Sequence, residues 1–304
     1  MKFKTVLESV GNTPLVLIQP SPSQGKVLAK LEYLNPGGSV KDRTARYMIE
    51  TAEREGKLKP GGTIVEASSG NQGIALALIG AVKGYHVIIT VPAKTSTEKV
   101  ATLRAYGAEV VICPTVATLD DPEGYHAKAE HLAATIPGAF MPDQYHNKNN
   151  GQAHYTSTGP EIWEQTGGEL THLFVGMGTC GTISGIARYI KEKKPSVKVI
   201  GVDAAGSSLS SKVPFAYTIE GIGVDAINAN YESAPIDTVI AVADSDASAM
   251  TRILGKKYGL LGGMSSGAVM CAIEQYKANL GPDSIAVAIF GDSGRAYLNK
   301  VFVD

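Results

Sequence analysis

The chain has 304 residues, 44% hydrophobic and 19% charged, enough to bury one large core or two medium ones. A net charge of −1 offers no basic face, which argues against nucleic acid or anionic membrane as partners, and no uninterrupted apolar run reaches membrane-spanning length. Cys113, Cys180 and Cys271 are dispersed and odd in number; with an N-terminus that lacks the apolar stretch of a signal peptide, they predict a reducing cytoplasm and no disulfide framework. The six histidines show no HxxxH or HExxH spacing, so no metal site is expected.

Short β-branched runs alternate with helical stretches along the chain. A strand over 27–31 leads through a Gly/Pro turn, Asn35-Pro36-Gly37-Gly38-Ser39, into a helix over 41–55 that opens on Lys41. Strand 63–66, helix 71–83, strand 86–91, helix 97–106, strand 109–113 and helix 124–135 follow. The polar stretch Asn147-Lys148-Asn149-Asn150-Gly151 reads as a turn and as the expected domain junction. Beyond it come helix 160–165, strand 173–176, helix 182–193, strands 198–202 and 238–242, helices 244–258 and 266–280, and strand 285–290. This rhythm predicts an α/β protein of two domains, each with a mostly parallel sheet flanked by helices. Ligands of such sheets bind beyond the strand C-termini, and the Gly/Ser-rich segments 67–73, 176–181 and 262–267 fall there.

Lys41 lies just inside a helix start, where the partial positive charge of the N-terminus disfavours an ammonium and favours the free amine. A neutral amine is a nucleophile that forms Schiff bases, although position alone also fits a solvated surface lysine. Gly176-Met177-Gly178-Thr179-Cys180-Gly181 matches GxGxxG after an apolar strand, and Asp203 ends the next strand, as in dinucleotide-binding folds. Taken alone this reads as an NAD-dependent oxidoreductase, but such a loop shows only that amides and a helix start await a phosphate, including that of pyridoxal phosphate. Ser68-Ser69-Gly70-Asn71-Gln72-Gly73 offers N–H groups, hydroxyls and an amide to an amino-acid carboxylate. Gly262-Gly263-Met264-Ser265-Ser266-Gly267 starts another helix with hydroxyls. Each of these turns also fits a plain helix cap.

Together these segments resemble the pyridoxal-phosphate-dependent β-replacement family of cysteine synthase and cystathionine β-synthase. The resemblance runs through Gly11-Asn12-Thr13-Pro14-Leu15-Val16, the Lys41 segment, Ser69-Gly70-Asn71, His154-Tyr155-Thr156-Ser157-Thr158-Gly159-Pro160-Glu161-Ile162-Trp163, the phosphate loop, Gly221-Ile222-Gly223, the Ser265 turn, and Asp292-Ser293-Gly294-Arg295. It implies the fold type II, tryptophan synthase β-like architecture, with 36–145 as a smaller mobile substrate-loop domain and 1–35 plus 146–304 as a larger phosphate-binding domain. It implies that Lys41 forms the Schiff base with pyridoxal 5′-phosphate and acts as the catalytic base, and that Asn71 meets the ring hydroxyl. Gly178, Thr179, Cys180, Gly181 and Thr182 would bind the phosphate and Ser265 the ring nitrogen. Ser68, Ser69, Asn71, Gln72, Gln144 and Gly221 would contact the substrate. A neutral hydroxyl at the ring nitrogen makes a milder electron sink than a carboxylate, which suits β-elimination to an aminoacrylate followed by addition of a nucleophile.

The family implies an O-acetylserine-type donor with sulfide, yielding L-cysteine, or serine or O-acetylserine with homocysteine, yielding cystathionine, or another β-replacement with thiosulfate, cyanide or an amine. Gly159–Trp163 has the look of cysteine synthase. The stretches 114–123, 143–145 and 220–225 look more like cystathionine β-synthase, with Glu220 or Asp225 available to a second ammonium. A catalytic unit without a haem-binding extension or a regulatory domain is the expectation, in keeping with a bacterial enzyme of either kind. Gln72 stands where the family has Thr, so a larger amide is expected in the carboxylate turn, and Cys180 stands where it has Gly. A homodimer, and docking of a serine acetyltransferase, are further expectations from the family.

Overall fold

The computed structural model describes residues 4–21, 25–116, 121–224 and 227–303. In chain order the elements are β1 (Leu15–Ser21), β2 (Gly25–Leu31), α1 (Lys41–Arg54), β3 (Thr63–Ala67), α2 (Asn71–Lys83), β4 (His86–Pro92), α3 (Thr97–Ala105), β5 (Glu109–Cys113), α4 (Tyr125–Thr135), α5 (Asn149–Thr156), α6 (Thr158–Gln165), β6 (His172–Gly176), α7 (Gly181–Lys193), β7 (Lys198–Ala204), α8 (Ala229–Glu232), β8 (Thr238–Val242), α9 (Asp244–Tyr258), α10 (Met264–Tyr276), β9 (Ile285–Phe290) and α11 (Leu298–Val301). They form two compact units: Met1–Val10 with Lys41–Asn149, and Gly11–Val40 with Asn150–Asp304.

The first unit is built on the parallel sheet β3-β4-β5. Phe140 extends its free edge by a parallel bridge to Ile64, with Val65 N–H donating to Phe140 O at 3.0 Å and Phe140 N–H to Thr63 O at 2.9 Å. Successive strand residues point to opposite faces. Ile64, Val87, Ile89 and Val91 pack with Ile49, Leu76, Ile79 and Leu103 of α1–α3, whereas Val65, Ala67 and Ile88 pack with Ala129 of α4. A sheet covered on both faces needs the nearly continuous apolar runs that these strands carry.

The second unit holds a six-stranded sheet of order β1-β2-β9-β6-β7-β8, parallel except for β1. The same alternation separates its two cores. Leu173, Val175, Val199 and Val287 face Ile183, Ile186 and Ile190 of α7, while Phe174, Ile200, Val202 and Ala288 face Val269, Ala272 and Ile273 of α10.

Besides the short helices α8 and α11, which the sequence reading does not give, two segments depart from expectation. β1 is an added antiparallel edge strand; Pro20 within it removes a ladder donor, and a register shift falls between Leu17 and Gln19. The stretch around Asn149 and Asn150, expected to be a turn, opens the helix α5 instead. Its polar side chains find partners in the fold, which outweighs their poor intrinsic helix propensity.

Candidate active site

In the first unit the candidate residues gather at the start of two helices. Lys41 is the first residue of α1 and is partly buried, and the next four residues are buried. The Thr44 hydroxyl lies 3.0 Å from Lys41 O and 3.1 Å from Gln72 Oε1. Gln72 is 1% exposed, and its Nε2 is 3.8 Å from Met48 Sδ. Its amide therefore joins α2 to α1. The larger amide expected in the carboxylate turn thus has its side-chain partners on α1, where a buried amide finds the hydrogen bonds it needs.

β3 ends at Ala67 and the chain turns through Ser68, Ser69 and Gly70 into α2. The Ser68 oxygen accepts from Gly73 N–H at 3.1 Å and from Gly70 N–H at 3.4 Å, closing the first turn of the helix. Ser69, Gly70 and Asn71 are half-buried, and a Cβ on Gly70 would meet nothing within 4 Å. Gln144, 7% exposed, follows Asp143, whose φ of 51° lies in the left-handed region. The carboxyl of Glu66 accepts from Asp143 N–H at 2.9 Å and from Gln144 N–H at 3.3 Å. Burial outweighs these two hydrogen bonds and pushes the Glu66 carboxyl up to about 8, with the Asp143 carboxylate adding to the rise.

In the second unit β6 ends at Gly176 and the loop 177–180 enters α7. Met177 N–H donates to Val202 O at 2.8 Å and Gly223 N–H to Met177 O at 2.7 Å, so the loop is held from both sides. Cys180 caps the helix at φ 60°, with its thiol 3.6 Å from Gly178 O. A Cβ on Gly178 would lie 3.0 Å from Gly221 O, and one on Gly181 would lie 2.0 Å from Asn150 Oδ1. Asn150 Nδ2 donates to Thr179 Oγ1 at 3.0 Å. The fully buried His154 sets Nε2 3.2 Å from Thr182 Oγ1 and Nδ1 2.8 Å from Thr158 Oγ1. Helix geometry leaves the first amides of α7 outside its internal ladder. Close-packed glycines, two nearly buried threonine hydroxyls and a helix N-terminus suit a phosphate group.

Ser265, 8% exposed, sits in the first turn of α10. Its Oγ is 3.7 Å from the Cβ positions of both Gly221 and Gly291, so Gly178, Gly221 and Ser265 come together in this unit. Asp203, expected to grip a ribose in the dinucleotide reading, is instead fully buried. One of its oxygens accepts from the Ser207 hydroxyl and, at 2.6 Å, from Ser210; the other accepts from Val224 N–H at 3.1 Å. A carboxylate so engaged holds the 221–224 loop and is not available to a ribose. Glu220 is paired with Lys300 at 2.5 Å, while Asp225 and residues 117–120 of the 114–123 stretch lie outside the described residues.

Glu66, Asn150 and His154 carry no role in the sequence reading. His154 lies in a quoted motif and Asn150 in the presumed turn, whereas Glu66 reads as an ordinary strand residue.

The model of the pyridoxal-phosphate dependent enzyme family matches residues 6–292. Cystathionine beta-synthase of Mus musculus is 46% identical over 98% of this chain and 55% of its own length. Cysteine synthase of Helicobacter pylori is 40% identical over 99% of this chain and 98% of its own. The crystal structure of the O-acetylserine dependent cystathionine beta-synthase from Helicobacter pylori superposes with a TM-score of 0.92, at 39% identity and with 100% of both chains covered. The chain spans little more than half the length of the mouse cystathionine beta-synthase that it matches.

Proposed function

The chain belongs to the pyridoxal-phosphate dependent enzymes of the cysteine synthase and cystathionine β-synthase family, and from that premise we propose that it performs β-replacement on an O-acetylserine-type amino acid, forming L-cysteine from sulfide. The observation that carries this reading is the loop before α7, where glycines without room for a side chain meet the buried Thr179 and Thr182 hydroxyls.

Pyridoxal phosphate, when bound, supplies an electron sink that labilises the α-proton and the β-substituent of an amino acid. In this reading Lys41 Nζ would hold the cofactor and would take and return the α-proton. The amides and hydroxyls of residues 178–182 would bind the phosphate, Ser265 Oγ would meet the ring nitrogen and Asn71 the ring hydroxyl. Ser68, Ser69, Asn71 and Gln144 hold the substrate carboxylate. Gln72 contributes through its backbone, since its side chain bonds to α1. The half-exposed turn at 69–71 closes over the substrate and excludes water. Gly221 leaves space beside Ser265 for the bound substrate.

A second reading replaces sulfide by homocysteine. The 46% identity to a cystathionine beta-synthase supports it. It asks Glu220 to exchange Lys300 for the ammonium of the second amino acid. A homodimer in the cytoplasm, with a serine acetyltransferase as docking partner, completes the proposal. Among the described residues no helix is long and apolar enough to cross a membrane.

The test supplies the purified holoenzyme with O-acetylserine and either sulfide or homocysteine, and identifies the products by mass. Cysteine supports the first reading and cystathionine the second. Formation of neither, with cofactor bound, rejects both.

A further inference from the structure

Glu66 is 1% exposed, on a strand whose neighbours Ile64, Val65 and Ala67 are all buried apolar residues. A carboxyl there is costly, and an apolar side chain would pack at lower cost. Its two oxygens accept from two consecutive amides, those of Asp143 and Gln144, which lie 77 and 78 residues away in sequence. The Asp143 backbone is in the left-handed region, which an L-residue with a Cβ rarely adopts, so this turn needs an external constraint. Other contacts hold the flanks of the segment. Phe140 bridges β3, the His146 and Asn147 amides donate to Asp143 O at 3.2 and 2.9 Å, and Asn147 Nδ2 donates to Pro142 O at 2.8 Å. Only two residues separate Glu66 from Ser69, so one short stretch of β3 fixes both the 68–71 turn and the backbone of Gln144.

We propose that Glu66 is a positioning residue for the amino-acid carboxylate, its buried carboxyl clamping the 143–144 turn so that Gln144 meets the substrate in register with the 68–71 turn. The role of Gln144 rests on the function proposed above; the clamp itself rests on the hydrogen bonds. An amide keeps the carbonyl oxygen of the neutral carboxyl but replaces its hydroxyl oxygen, which still has lone pairs, by an NH2 that accepts nothing, so one of the two backbone amides loses its partner.

The test uses Glu66→Gln and Glu66→Leu holoenzymes, alone and combined with Gln144→Ala. Thermal unfolding confirms the fold, and hydrogen exchange is followed at the Asp143 and Gln144 amides. E66Q is expected to raise KM for O-acetylserine about tenfold with kcat changed less than about threefold, and E66L to raise it further. In the Gln144→Ala background the E66Q effect on KM should shrink to less than about twofold, because residues acting through one another are not additive. Exchange should accelerate at least about tenfold at one of the two amides in E66Q and at both in E66L. An equal KM effect in both backgrounds, or an unchanged KM with folded protein, overturns the positioning role. A wild-type enzyme that ignores O-acetylserine rejects the functional reading instead, and exchange then decides the clamp: acceleration supports it and unchanged exchange overturns it.

Discussion

The turn at residues 68–71 and the loop at residues 178–182 each carry a parallel strand into a helix N-terminus, and each is rich in glycine and hydroxyls, yet the fold holds them differently. The loop before α7 is packed from all sides. Gly181 lies against Asn150, Gly178 against the Gly221 carbonyl, and Thr182 beside the buried His154. In the turn before α2 the Ser68 hydroxyl oxygen accepts from Gly73 N–H, while Gly70 faces open space and Ser69 and Asn71 are half-exposed. The difference matches the two ligands proposed for them. A resident phosphate benefits from donors already in place, whereas a substrate that enters and leaves at each turnover needs a wall that can give way.

This contrast can be broken or sharpened by mutation, and the largest effect belongs to neither turn. Lys41→Ala should abolish cysteine formation, by at least about a thousandfold, and remove the visible absorption of the bound cofactor, while circular dichroism shows the fold retained. Gly181→Ala puts a Cβ 2.0 Å from Asn150 Oδ1, so it should destabilise the protein by about 1–3 kcal/mol in thermal unfolding and weaken cofactor binding at least about tenfold in a titration of the apoprotein.

The support behind the open turn has a pH signature. Burial raises Glu66 from the ordinary carboxyl value of about 4.5 to about 8, so the folded chain keeps a proton that the unfolded chain gives up. That contribution to stability is fully present below about 4.5 and is lost as pH rises through about 8. Thermal unfolding of Glu66→Gln against wild type should therefore show a shallower decline with pH across this window, and parallel curves would contradict it. His154→Leu removes the nitrogen beside Thr182 Oγ1 and should weaken cofactor affinity about fivefold, the worth of one buried hydrogen bond. The smallest effect is Gly70→Ala, where nothing lies within 4 Å of the new Cβ. It should cost under about 1 kcal/mol, and a loss as large as that of Gly181→Ala would erase the distinction between the two turns.

Much of this arrangement is legible in the residues themselves. The buried strands β3, β4, β6, β7 and β9 appear as apolar β-branched runs, and α2 and α9 begin and end where their patterns and C-cap glycines, Gly84 and Gly259, say they should. Lys41 and the two glycine-rich helix starts stand out because turn chemistry and helix polarity are local properties, set by residues within a few positions of each other. The partners of the buried polar groups are not legible in that way. GMGTCG with a following Asp203 reads as a dinucleotide fingerprint until Asp203 is seen bonded to Ser207, Ser210 and Val224. Gln72 reads as a substrate contact, and nothing in the residue itself foretells that its amide bonds to Thr44 and lies beside Met48. Glu66 and Gln144 do not read as a pair at all. Sequence periodicity and turn chemistry determined most of the elements, the parallel α/β class and the helix starts that offer amides to anions. Only the tertiary structure decided which carboxyl or amide meets which donor, because a buried polar group must take whichever partner the packing of distant segments brings within hydrogen-bond reach.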